Sequence, residues 1–132
     1  MILSCQNISK AFGLNEVIKQ GSFHLEDYEK ALHTYGSLGL EVQVTELDIH
    51  ATDASEEGMQ MLAERYGKLF RILLNAKKKG LANVTSVTFW GMKDDESWLT
   101  GFRKEKSYPL LFGEGYTLKK SYEAVMKVPI KA

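Results

Sequence analysis

The period of the apolar positions changes several times along the chain. Leu25, Tyr28, Ala31, Leu32, Tyr35 and Leu38 recur at three- and four-residue steps, the apolar stripe of a helix beginning near Ser22. Gly36 and Gly39 predict its end and a turn. Residues 40–49 (LEVQVTELDI) are rich in β-branched side chains and predict a strand. Strict alternation puts Val42, Val44, Glu46 and Asp48 on one face, with Gln43, Thr45, Leu47 and Ile49 on the other. Thr52, Asp53, Ser55 and Glu56 are capping candidates, Asp53 and Glu56 having the spacing of a capping box. The helix behind them buries Met59, Leu62, Ala63, Tyr66, Leu69, Phe70, Leu73 and Leu74 on one face. Lys77, Lys78 and Lys79 complement the C-terminal dipole, and Gly80 is the expected C′ residue. The basic triplet fits such a helix end better than a phosphate site.

A second strand is expected over residues 84–92 (VTSVTFWGM), followed by the polar loop Lys93-Asp94-Asp95-Glu96-Ser97-Trp98. An irregular stretch through Tyr108-Pro109-Leu110-Leu111-Phe112 leads to a short helix with Tyr122, Val125 and Met126 on one side. The first twenty residues are less legible: Ile2, Leu3 and Ile8 fit a short strand, but Gly13 and Gly21 interrupt the segment behind it. Connections of helical length between strands imply a parallel sheet with helices outside, an α/β architecture.

Composition narrows the function classes. A chain of 132 residues with 44% hydrophobic and 11% aromatic residues can bury the core of a single domain, residues 1–132. Lysine plus arginine and aspartate plus glutamate balance at 17 each, which argues against nucleic acid as the main partner. The single Cys5 excludes an internal disulfide framework and a Cys-rich zinc site, and no pair of histidines has metal-ligand spacing. No apolar run approaches the ~20 residues of a membrane helix. The residues 1–5 are too short for the apolar region of a signal peptide. No metal, cofactor or membrane is therefore expected, and the compartment stays open.

In parallel α/β folds, functional side chains collect where strands end. Glu46 and Asp48 occupy one such end, Trp90 another, and Trp98 the loop beyond it. Indole rings stack on the C–H faces of sugars, and a carboxylate can attack or stabilise an anomeric carbon. Spacing alone fits equally well a core tryptophan and a solvated strand end.

The run Val44-Thr45-Glu46-Leu47-Asp48-Ile49, with Tyr35-Gly36-Ser37-Leu38-Gly39-Leu40-Glu41-Val42 before it, resembles the seventh-strand motif of glycoside hydrolase family 10. Val87-Thr88-Phe89-Trp90-Gly91 and Asp94-Asp95-Glu96-Ser97-Trp98-Leu99 resemble that family's eighth strand and its loop. Tyr108-Pro109-Leu110-Leu111-Phe112 and Tyr122-Glu123-Ala124-Val125 resemble its closing segment, so the likeness runs through residues 22–126 in family order. The resemblance implies a partial (β/α)8 TIM barrel, about the last two to three strand–helix units, and retaining endo-β-1,4-xylanase chemistry on xylan or xylo-oligosaccharides without a cofactor. Carried over by position, Glu46 matches the catalytic nucleophile and Asp48 a supporting acid that acts on it through a histidine. Trp90 and Trp98 match aromatic walls of the sugar subsites. His50, of the same strand parity, could reach the rim of the site.

A complete barrel of this kind usually needs ~250 residues. The family's acid/base glutamate follows an asparagine at the end of the fourth strand, far upstream of the nucleophile. Asn15-Glu16 is the only such pair here, and Glu16 lies just 30 positions before Glu46 (46 − 16 = 30), too close for that role. The family's Gln-x-His triplet is also absent: Gln6 is followed by Asn7 and Ile8, while His24 suits a helix start and His33 an exposed helix position. Lys119-Lys120-Ser121 stands where the family often has a proline, a difference expected to affect helix entry only. Open sheet edges, and inward side chains such as Val42, Val44 and Thr88 without partners, imply self-association, pairing with a chain that supplies the rest of the barrel, or marginal stability. Two rivals to catalysis stay open: a non-catalytic fragment that binds xylo-oligosaccharides or a partner, and a truncated inactive product.

Overall fold

The computed structural model describes residues 2–4 and 24–129. The expectations placed on Cys5, Gln6, Ile8, Gly13, Asn15-Glu16 and Gly21 lie outside the described residues. Two compact units are formed, Met1–Leu47 with Arg71–Thr88, and Asp48–Phe70 with Phe89–Ala132.

The first unit holds a three-stranded sheet in the order β1-β2-β3. Strand β1 (Ile2–Ser4) pairs in parallel with β2 (Glu41–Leu47), Leu3 opposite Val42. Strand β3 (Asn83–Phe89) flanks β2 on the other side, its last residue belonging to the second unit. Helix α1 (Leu25–Ser37) packs on β2, with Ala31 and Leu32 as its buried residues. Val42 and Val44 are buried in the central strand rather than left without partners; Thr88 is exposed as expected. The two-residue parity then fails: Leu47, three positions after Val44, is the next buried residue, and Glu46 is exposed. Glu41 bridges the strands, accepting from Thr85 Oγ1 at 2.7 Å and Gln43 Nε2 at 2.9 Å. These hydrogen bonds, that of Gln43 first, hold its carboxyl below the ordinary range.

Gly36 is not the helix terminator its type suggests, since α1 continues through it and the turn falls at Gly39, with φ of 69°. Its role is close approach: a Cβ there would sit 1.7 Å from the Leu81 carbonyl oxygen. Helix α2 (Glu56–Lys78) ends in this unit as the sequence implies, with Gly80 at φ of 68° and Leu81 N donating to Ala76 O at 2.8 Å. Lys77 Nζ donates to Val84 O at 2.6 Å, so the basic triplet helps tie the helix end to β3.

The second unit contains the start of α2, and the capping differs from the Asp53/Glu56 box. Ser55 is the cap, its Oγ accepting from Gly58 N at 3.1 Å, while Asp53 Oδ1 accepts from Ser55 N at 2.8 Å. Asp53 folds so closely over the helix that a Cβ on Gly58 would lie 2.4 Å from its Cγ. Further along, Tyr66 is fully buried, donates to Pro109 O at 2.6 Å and tilts against Phe89, with ring centroids 5.9 Å apart. After β3 come a 3-10 turn (Asp94–Glu96), helix α3 (Trp98–Arg103), a second 3-10 turn (Glu114–Tyr116) and helix α4 (Lys120–Met126). Helix α3 occupies what the sequence suggested was irregular chain. Six residues give too little periodicity to see, and it forms because Ser97 caps it and Leu99 is buried.

The Gly36–Leu81 approach yields a stability prediction. Gly36→Ala must push two backbones apart and should cost at least the ~1–3 kcal/mol typical of overpacking. Gly80→Ala, with positive φ but open space, should cost only about 1 kcal/mol. Urea melts followed by circular dichroism compare the two; equal losses would contradict the close-approach role.

Candidate active site

Glu46 lies in the first unit, exposed near the end of β2 and engaged by neighbouring groups. The other residues singled out from the sequence, Asp48, His50, Trp90 and Trp98, fall in the second unit.

Within that unit Asp48 and Trp98 come together. The indole Nε1 of Trp98 donates to Asp48 Oδ2 at 2.8 Å. Trp98 is the first residue of α3, so the Ser97 cap, whose Oγ accepts from Leu99 N at 3.3 Å, sets where the indole starts. Phe102, one turn on, places its ring centroid 4.8 Å from that of Trp98, tilted by 45°. Trp98 and Trp90 stay 46% and 49% exposed, so neither is the core tryptophan of the alternative reading and both keep ring surface open for stacking. Asp48 thus orients an aromatic platform, a contact that strand alternation does not disclose.

His50 is held by protein on both ring nitrogens: Nδ1 lies 2.9 Å from Ser107 Oγ, and Nε2 lies 3.0 Å from Glu105 Oε1. Ser107 N in turn donates to Thr100 Oγ1 of α3 at 3.2 Å. The geometry therefore ties the strand end to the segment after α3 through His50, whose ring nitrogens both have protein partners.

Sequence reasoning passed over the most heavily bonded charge of this unit. Asp94 is buried; its Oδ1 accepts from Leu110 N at 2.8 Å and its Oδ2 meets Lys119 Nζ at 2.7 Å. Lys119, expected to affect helix entry only, also donates to Tyr108 O at 2.8 Å. Burial lowers the Lys119 ammonium below the ordinary lysine value, and the Asp94 carboxylate opposes that. Tyr66 is pushed well up by its own burial and by the charges of Asp48 and Asp94, so it serves as a neutral donor. On the exposed side Lys93 contacts Asp95 at 2.8 Å and Glu96 at 3.1 Å, and both hold its charge above the ordinary value. The matching of an acidic run at 94–96 with Lys119-Lys120 was the available signal, but pairing across 25 positions (119 − 94 = 25) has no local period to reveal it. Among the described residues no group of three or more metal-ligating side chains occurs.

Parallel pairing of β1 with β2 and a helix after β2 define a sector of an α/β fold. The model of glycosyl hydrolase family 10 matches residues 10–128, and the chain belongs to that family. Over 106 residues it is 51% identical to endo-1,4-beta-xylanase B of Butyrivibrio fibrisolvens, covering 80% of this chain and 17% of that protein. The solved GH10 structure from Paenibacillus barcinonensis matches with a TM-score of 0.73 and 29% identity over 84% of this chain and 35% of that one. A GH10 endoxylanase from a sugarcane soil metagenome matches with a TM-score of 0.73 and 26% identity, over 82% and 36% of the two chains. The fold is thus part of a (β/α)8 barrel, and the chain spans roughly a third of the solved barrels it resembles.

The Asp48–Trp98 bond is open to test. Asp48→Ala should remove a charge-assisted acceptor worth about 1.5–3 kcal/mol at most. In a Trp90→Phe background, where Trp98 is the sole tryptophan, its emission should shift to the red and quench more readily. Unchanged emission would show that the indole is held without the carboxylate.

Proposed function

We propose that this chain supplies the nucleophile side of a retaining endo-β-1,4-xylanase. The observation that supports this best is Glu46, an exposed carboxylate near the end of a buried parallel strand, within the family-matched residues 10–128. In this reading Glu46 attacks the anomeric carbon of a xylan chain and forms a glycosyl-enzyme intermediate, which water then hydrolyses. A second carboxyl group, about 5–5.5 Å away in retaining enzymes, protonates the departing sugar oxygen and then activates the water. Trp90 and Trp98 stack on xylose rings, and Asp48 fixes the Trp98 indole.

The general acid comes from elsewhere in the barrel, on a longer polypeptide or on a second chain. Self-association or pairing with such a chain is favoured by the place of β3, the last strand in the sheet order among the described residues, with Thr85, Ser86 and Thr88 exposed. A non-catalytic reading shares the same two tryptophans, and substitutions separate it from catalysis.

The test is reducing-sugar release from xylan beside hydrolysis of an aryl xyloside. Glu46→Gln should abolish both activities while leaving xylo-oligosaccharide binding intact. Without a general acid, xylan hydrolysis should fall about 10²–10⁴-fold further than that of the aryl substrate, whose phenolate departs unaided. Equal loss by the wild-type chain on both substrates, relative to a complete enzyme of the family, would contradict a missing acid. Sugar binding that survives Glu46→Gln but is lost in Trp98→Ala, with no wild-type hydrolysis under any pairing, would establish the binding fragment instead.

A further inference from the structure

Asp94 and Lys119 form an ion pair whose side chains are only 8% and 10% exposed. A pair so far from water survives because each partner also hydrogen-bonds the backbone, Asp94 to Leu110 N and Lys119 to Tyr108 O, and removing either leaves a buried charge uncompensated. The bonds converge on one backbone turn. Asp94 N donates to Phe112 O at 3.0 Å, and Asp94 O accepts from Ser97 N at 3.1 Å. The carboxylate takes Leu110 N and Lys119 Nζ, while Lys119 N donates to Leu111 O at 3.2 Å. Ser97, itself buried, is the cap from which Trp98 begins α3.

We propose that the Asp94–Lys119 pair is a positioning device for the Trp98 platform. The pair fixes the 3-10 turn, the turn fixes the Ser97 cap, and the cap sets the height and rotation at which the indole leaves α3 to meet Asp48. Trp98 is then restrained from two directions, by Asp48 at its Nε1 and by the buried pair through the backbone behind it. An aromatic platform restrained before the sugar arrives loses less freedom on binding, so the pair contributes to affinity without touching substrate. Neither residue is catalytic; Lys119 acts through Asp94, and Asp94 through Ser97. The inference deepens the proposed function and rests on Trp98 being a sugar-stacking residue.

The experiment places Lys119→Met and Lys119→Arg in the Trp90→Phe background and reads Trp98 alone. Lys119→Met is expected to shift Trp98 emission to the red, raise its quenching by acrylamide and weaken xylotetraose binding about tenfold, one lost hydrogen bond's worth. Lys119→Arg, which keeps the charge on Asp94, is expected to restore all three. Should Lys119→Met fail to fold, Asp94→Asn keeps an acceptor for Leu110 N and should give the same red shift. A folded Lys119→Met or Asp94→Asn protein with wild-type Trp98 emission and quenching would overturn the proposal, as would equal defects in Lys119→Met and Lys119→Arg. A spectral shift that Lys119→Arg rescues, in a protein that binds no xylotetraose even as wild type, would uphold the positioning role and reject the sugar reading instead.

Discussion

A buried carboxylate must be matched on every side, and Asp94 shows how much chain that requirement can organise. Its side chain takes Leu110 N and Lys119 Nζ, and its backbone takes Phe112 and Ser97. Segments outside the named strands, linked by the isolated bridges of Lys93 with Phe112 and Phe112 with Leu118, are thereby drawn to one point: the turn after β3, the stretch 108–112 and the approach to α4. Breaking one contact exposes the cost of the others, because a charge out of water has no inexpensive alternative partner. Tyr66 extends the same logic, donating its phenol to Pro109 O from the middle of α2. The second unit thus depends on satisfied polar groups at least as much as on apolar packing.

The first unit is built differently. Its core is aliphatic, with Leu32, Val42, Val44 and Leu73 buried, and its tightest constraint is steric, at Gly36 and Leu81. The shift of burial from Val44 to Leu47 leaves Glu46 exposed near the end of a strand whose other end is packed. A side chain at that point is accessible, as the proposed nucleophile must be.

Legibility in the sequence followed the range of the interactions. Helix α2 is readable because its period repeats over many residues, strand β2 because its run is rich in β-branched side chains, and the Lys77–Gly80 helix end because its signals are adjacent. The family resemblance, spread over several ordered motifs, pointed to a barrel sector that the solved relatives bear out. Features set by distant partners were hidden. Ser55 displaced the Asp53/Glu56 box because Asp53 folds over Gly58, and α3 was too short to show a period. Gly36 resembled a helix stop because the Leu81 carbonyl that demands it lies far along the chain. For the candidate site residues the contacts were hidden: Asp48 meets Trp98, and His50 meets Ser107 and Glu105.

If Glu46 attacks the sugar as proposed, the covalent intermediate can be trapped. A 2-fluoro-xylobiosyl fluoride, whose glycosyl-enzyme ester hydrolyses slowly, is incubated with the folded protein and followed by intact mass and peptide mapping. Its anomeric fluoride leaves without a general acid, so the missing half of the site does not prevent the first step. One added xylobiosyl group on Glu46, absent from Glu46→Gln, is the predicted result. Label on another carboxylate, or a folded chain that binds the sugar and stays unlabelled, would contradict it.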